Sequence, residues 1–85
     1  MKASPPRLSA SKAIASIRKY TQDGVRVLGL DGFTVIPEGF RADLDLLLDV
    51  SNQPMTAEEA AAQAEAFIDK HARPDVIWEV WTETT

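Results

Sequence analysis

The feature that most constrains the fold is the alternation of apolar and charged residues between positions 41 and 50. Leucine or valine occupies positions 44, 46, 48 and 50, and aspartate occupies most of the positions between them. A period of two is typical of a strand with one buried face. A helix, the less favoured alternative, would scatter the aspartates around its axis. We therefore predict a strand with its leucines directed inward and three carboxylates in water, those of Asp43, Asp45 and Asp49.

Helical patterns lie on both sides of this strand. The first begins at Ser9 or Ser11, either of which can act as an N-cap, and ends at Gly24. Its apolar stripe is Ala10, Ala13, Ile14, Ile17 and Tyr20. The second begins with a capping box formed by Thr56 and Glu59 and runs to about His71. Its apolar stripe is Ala60, Ala64, Phe67 and Ile68.

Two further stretches predict strands. Asp31-Gly32 is a strong two-residue turn signal, because both central residues of a type I′ turn need positive φ. A turn there pairs Leu30 with Phe33, and the resulting hairpin ends at residues 37–39. Residues 75–83 form the last predicted strand. One of its faces carries Val76, Trp78 and Val80, and the other carries Ile77, Glu79, Trp81 and Glu83.

The predicted order is α-β-β-β-α-β, which places the chain in the α+β class. Its 85 residues suit one small domain, which we assign to residues 8–85. Residues 1–7, with two prolines, are predicted to be a flexible N-terminal arm. A mainly antiparallel three- or four-stranded sheet with both helices on one face would bury the apolar stripes. The pairing of the last strand stays open at this point.

The residues that catalysis usually needs are scarce. The chain has one histidine, His71, and no cysteine, so neither a serine-histidine pair nor a tetrahedral zinc site is expected. Asp43 and Asp45 would lie about 7 Å apart on one strand face and could hold a hard divalent cation. A solvated strand face is the simpler interpretation. We therefore expect no enzyme, no metal and no cofactor.

Charge is distributed unevenly along the chain. Residues 1–42 contain seven basic and three acidic residues, whereas residues 43–85 contain two basic and ten acidic residues, for a net charge of −4. Such asymmetry suggests an electrostatic partner, although folding can also intermix the two halves on one surface. The longest apolar runs are far shorter than the stretch needed to span a membrane, so we expect no membrane partner. The lack of cysteine favours a cytoplasmic location.

These features favour a non-enzymatic module that binds a protein with a basic surface. The predicted contact residues are Asp43, Asp45, Asp49, Glu79, Trp81 and Glu83. In general character, a tiny acidic single-domain chain without an active site is similar to inhibitors encoded by phages or mobile elements, anti-CRISPR proteins among them. It is equally similar to bacterial antitoxins and immunity proteins. The resemblance to the inhibitors implies occupation of a basic nucleic-acid-binding surface on a bacterial effector.

Two alternatives remain open. In the first, the chain assembles with itself as a homodimer or larger structural module, its basic helix meeting the acidic strand of another copy. In the second, which is less favoured, basic residues near the N-terminus contact nucleic acid. These residues are Lys2, Arg7, Lys12, Arg18 and Lys19. The chain has no recognisable helix-turn-helix and no cluster of stacking aromatics, and its net charge is negative.

Overall fold

The computed structural model describes residues 5–83. Its elements are α1 (Ala10–Gln22), β1 (Val27–Ile36), β2 (Gly39–Asp49), α2 (Ala57–His71) and β3 (Val76–Thr82). The order α-β-β-α-β confirms the predicted α+β class, with one strand fewer than the predicted order had. Within the described residues, neither helix combines the length and apolar character needed to cross a membrane.

Both helices begin and end at the signals that the sequence contains. The Ser9 hydroxyl accepts a hydrogen bond from the Lys12 backbone N–H, and Gly24 follows α1 with a φ of 74°. In α2 the Thr56 hydroxyl accepts from the Glu59 backbone N–H at 3.1 Å. The Glu59 carboxylate in turn accepts from the Thr56 backbone N–H at 3.0 Å. The predicted capping box is therefore confirmed.

The sheet is antiparallel with the order β2-β1-β3, so β1 is its central strand. The pairing of the last strand, which the sequence left open, is with β1: Leu30 lies opposite Val80. On its outer edge β3 forms a single bridge with Leu8. The backbone N–H of Leu8 donates to the Trp78 carbonyl, and the Trp78 N–H donates to the Leu8 carbonyl, both at 2.7 Å. The residues just before α1 therefore flank the sheet.

The predicted turn at Asp31-Gly32 is wrong. β1 runs straight through these residues, and the chain reverses instead at residues 37–38, between Ile36 and its partner Gly39. Gly32 does not have a positive φ. Its role is to permit close approach, since a Cβ there would lie 2.6 Å from the Leu46 Cβ and 2.9 Å from Cζ3 of Trp78. The glycine therefore marks a packing position inside a long strand.

Both helices cover the same face of the sheet, where the predicted stripes meet. Ala13 and Ile17 of α1 and Ala64 and Ile68 of α2 are fully buried in one cluster with Trp78. The small alanines let the helices approach the sheet and each other closely. Within residues 5–83 no helix lies over the opposite face of the sheet, which we call the open face.

The alternation along β2 is interrupted by a bulge. Asp31 pairs with Leu47 and Phe33 pairs with Ala42. The chain therefore advances five residues along β2 opposite two residues along β1. The extra residues displace Leu44 from the inward row, and its side chain is 87% exposed. Leu46 is buried, as predicted, whereas the inward direction predicted for Leu44 is wrong. An insertion of this kind locally breaks the ladder and re-aims side chains.

Candidate functional site

The open face is largely apolar and partly exposed. Val35 of β1 and Phe40 and Leu47 of β2 are each about half exposed, and they are the residues on this face that stand out as large exposed hydrophobics. Three strands with helices on only one side leave such a face uncovered. Contiguous apolar surface on a small domain is typical of an interaction site. The open face is therefore the first candidate for function.

The bulge adds negative charge to this apolar surface. We call residues 43–45 the acidic bulge: Asp43 and Asp45 flank Leu44, and the Asp43 carboxylate accepts from the Asp45 backbone N–H at 3.0 Å. A cleft of about 200 Å³ lies between the bulge and β1, and its lining includes Asp31, Phe33, Asp43, Leu44 and Leu47. The bulge thus presents one exposed leucine between two carboxylates beside a small recess.

Asp49 lies at the other end of β2. Its carboxylate accepts from the Ser51 hydroxyl at 2.6 Å and from the Ser51 backbone N–H at 2.9 Å. The hydroxyl bond first, and the backbone bond second, lower the pKa of Asp49 below its ordinary value. Within residues 5–83, no basic side chain forms an ion pair with Asp43, Asp45 or Asp49. All three negative charges therefore remain without a cationic partner in the described part of the chain.

Glu79 has a different environment from the one predicted. It is 5% exposed, and its carboxylate accepts from Nε of Arg7 at 3.2 Å. The Arg7 guanidinium also lies over two aromatic rings, 4.6 Å from the centroid of Phe33 and 4.6 Å from that of Phe40. The expectation that Glu79 belongs to an exposed acidic patch is wrong, because burial requires a partner for its charge.

The two remaining predicted contact residues lie on or beside β3. Trp81 is half buried, and its indole N–H donates to the Asp31 carboxylate at 2.9 Å. Glu83 is exposed, and its carboxylate accepts from the Arg26 backbone N–H at 2.8 Å. Because β1 separates β3 from β2, these residues lie about 10 Å from the acidic strand. The six predicted residues therefore lie on or beside two separate strands, but Trp81 and Asp49 line one cleft of about 240 Å³ across β1.

Sequence reasoning did not place three residues on the open face: Arg7, which it assigned to a possible nucleic-acid surface, Phe33 and Phe40. Because residues 1–7 were predicted to be a flexible arm, Arg7 was not expected to pack on the sheet. Residues 1–4 of this predicted arm lie outside the described residues. The predicted turn at Asp31-Gly32 assigned Phe33 to a short hairpin strand and not to the long central strand. If the strand is continued without a turn, the period of two places the side chains of Asp31, Phe33 and Val35 together on one face, which is the open face.

The described residues do not bring together a metal site. Among residues 5–83 there is no group of three or more histidine, cysteine or acidic side chains placed to hold a metal ion. His71 lies on α2, in the helix layer, with its ring 4.5 Å from that of Phe67. An imidazole packed on a phenyl ring at the end of a helix is explained by packing and by the helix dipole.

The basic helix α1 is partly neutralised by acidic neighbours. Nη2 of Arg18 lies 3.0 Å from a Glu65 oxygen on α2, and Nζ of Lys19 lies 3.9 Å from Asp23. Arg7 is bound to Glu79, as described above, and Lys2 lies outside the described residues. The basic surface proposed for nucleic acid is thus weaker than the sequence indicates.

Comparison with protein-family models, curated proteins and solved structures gives no match to this chain. Functional inference therefore depends on the geometry of the open face and the acidic bulge.

Proposed function

We propose that this chain is a non-enzymatic protein-binding module that docks a basic partner on its open face, with the acidic bulge as the principal contact. The observation that supports this most directly is the set of three aspartates on β2 without a cationic partner in the described residues, beside exposed Leu44 and Leu47. An apolar centre with a charged rim is the usual composition of a transient protein interface.

The charge arrangement suggests the kind of partner. Complementary charge speeds association and excludes like-charged partners, and it contributes less to affinity. Since α1 is partly neutralised by Glu65 and Asp23, self-assembly through that helix has less electrostatic support than binding to a strongly basic protein. A basic nucleic-acid-binding surface of a bacterial effector fits these requirements. We therefore propose an inhibitor of the phage- or mobile-element-encoded type, acting in the cytoplasm, where a cysteine-free chain is suited to reducing conditions.

The experiment compares capture by two variants of equal charge. In the first, Asp43, Asp45 and Asp49 are all replaced by asparagine. In the control, Glu38, Glu58 and Asp69, which are exposed elsewhere, become Gln, Gln and Asn. Each chain is immobilised, bacterial lysate is passed over it at increasing salt, and the retained proteins are identified by mass spectrometry.

The expected result is one basic protein retained by the natural chain and by the control variant. It is lost with the Asp43/Asp45/Asp49 variant, and its retention by the natural chain falls as salt rises, because exposed charges are screened. Equal retention of that protein by both variants would exclude the three β2 aspartates as the electrostatic contact. Concentration-dependent sedimentation of the pure chain that disappears at high salt would instead support self-assembly.

A further inference from the structure

Arg7 occupies a site with the composition of a guanidinium receptor. The side chains of Phe33 and Phe40 lie on the same guanidinium group, each with its centroid 4.6 Å from Cζ, and Glu79 supplies the opposite charge at 3.2 Å. We call Phe33, Phe40 and Glu79 the cage. Ring faces attract cations through their quadrupole, and arginine stacks on them better than lysine does.

The cage requires a cation whatever its source. Glu79 is 5% exposed, and a carboxylate so far from water is costly when it is unpaired. The cost exists in the free chain, so Glu79 needs a cationic partner there. Arg7 meets this need in the free chain.

The contact that Arg7 makes is not the best one available to a guanidinium. Only Nε bonds to Glu79 within the described residues, and 3.2 Å is long for a charge-assisted bond. A guanidinium entering from solvent can present two N–H groups in parallel to a carboxylate, which is the stronger and more specific geometry.

The backbone around Arg7 is anchored just after it, where Leu8 packs against the core and Ser9 caps α1, and not at Arg7 itself within the described residues. In the described part of the chain, two backbone hydrogen bonds of 2.7 Å between Leu8 and Trp78 tie it to the sheet. The two preceding residues, Pro5 and Pro6, have no backbone N–H to donate. The side chain of Arg7 is itself 41% exposed. A competing arginine would therefore need to displace only the Arg7 side chain, which is partly solvated and makes one hydrogen bond to Glu79 in the described residues.

We infer that the cage is a binding site for the arginine side chain of a partner protein, and that Arg7 fills it until the partner docks. The inference deepens the proposed function and rests on it, since the cage lies on the same open face as Leu47 and a basic partner has arginines to offer. The chemical class of ligand is a guanidinium cation, and Arg7 acts as its internal substitute.

The test is chemical rescue of the full chain carrying Arg7→Ala. Thermal unfolding and calorimetric titration are measured with millimolar ethylguanidinium, and with ethylammonium as a cation of equal charge. We expect ethylguanidinium to raise the melting temperature of the Arg7→Ala variant more than that of the natural chain, in which Arg7 competes for the cage. Its affinity should fall about tenfold or more in the Arg7→Ala/Glu79→Gln double variant, because the charged acceptor is gone. Equal effects of both cations, or no rescue, would overturn the inference.

A second measurement covers the case in which Arg7→Ala does not fold. The natural chain is titrated with N-acetyl-arginine amide while the Nε resonance of Arg7 is followed by NMR. Displacement predicts a shift of that resonance towards its solvent-exposed position, together with shifts of the Phe33 and Phe40 rings. An unchanged Arg7 resonance at saturating peptide would contradict the inference. Neither measurement involves the partner, so failure here is distinguishable from failure of the capture experiment, which tests the acidic bulge.

Discussion

Trp81 donates its indole N–H to the Asp31 carboxylate at 2.9 Å and thereby ties β3 to β1 across the open face. Hydrogen bonds to charged acceptors stabilise more than neutral ones, but partial exposure of both groups reduces the gain. We expect Asp31→Ala to lower the free energy of unfolding by about 1 kcal/mol in urea titrations. Asp31→Asn keeps an acceptor oxygen and should lose less. A melt of Asp31→Ala identical to that of the natural chain would show that the bond contributes nothing.

The different burial of Leu44 and Leu46 distinguishes the bulged β2 from a regular strand, in which both side chains would point inward. Leu46 is 2% exposed, so Leu46→Ala should lower the free energy of unfolding by about 2–5 kcal/mol. Leu44 lies in water, and Leu44→Ala should change that energy by less than about 0.5 kcal/mol. The same Leu44→Ala variant should retain less of the partner in the capture experiment. If both substitutions cost the same stability, the bulge is absent in solution.

The regular elements were predictable because local chemistry specifies them. The Ser9 cap and the Thr56 capping box each act within one helical turn, and the buried row of β3, including Trp78, follows from a period of two. Each of these signals lies entirely within a few neighbouring residues. They required no knowledge of what lies across the sheet.

The missed features depend on contacts between distant residues. Asp31-Gly32 satisfies a turn signal locally, but Leu46 and Trp78 use the missing side chain of Gly32 for close packing. The cage joins Arg7 to Glu79 across 72 positions of sequence. A local pattern cannot distinguish a turn glycine from a packing glycine, and it cannot show which strand covers a given carboxylate.

Gly32 gives a direct test of that distinction. Gly32→Ala places a Cβ within 3 Å of both the Leu46 side chain and the Trp78 ring, and overpacking of this kind costs about 1–3 kcal/mol. Gly24→Ala meets no atom within 4 Å, and its cost of about 1–2 kcal/mol comes from the positive φ alone. A second substitution, Leu46→Ala, should relieve part of the Gly32→Ala penalty and none of the Gly24→Ala penalty. Double-mutant cycles by urea unfolding measure this difference.

Thr34 offers a substitution that should stabilise the protein. Its hydroxyl is buried near the end of β1, the central strand, and has no hydrogen-bond partner among the described residues. An unsatisfied buried hydroxyl costs about 1–3 kcal/mol, and valine has nearly the same shape without the polar atom. Thr34→Val should therefore raise the free energy of unfolding by about 1 kcal/mol. Thr34→Ser, which keeps the hydroxyl and removes a methyl group, should lower it. A destabilised Thr34→Val would indicate that the hydroxyl has a partner.

Ser51 lowers the pKa of Asp49, which lies in the surface proposed to bind the partner. The Ser51 hydroxyl, followed by its backbone N–H, lowers the pKa of Asp49 from the ordinary value of 3.8. A depressed folded-state pKa gives stability that is present above that ordinary value and lost as pH falls through the folded value. Ser51→Ala removes the larger cause, so the pKa of Asp49 should rise towards 3.8 when its carboxyl carbon is titrated by NMR.

The pKa of Glu59 serves as the internal reference and should not change in the Ser51→Ala variant. It is lowered mainly by the Thr56 backbone N–H and next by the Thr56 hydroxyl. Stability of the Asp49→Asn variant should depend less on pH below about 4 than that of the natural chain, because the titrating group is gone. Above that range the natural chain should be the more stable of the two, since only a carboxylate strengthens the bonds from Ser51. If the free energy of unfolding of both proteins depended on pH in the same way below about 4, Asp49 would have the same pKa in the folded and unfolded states.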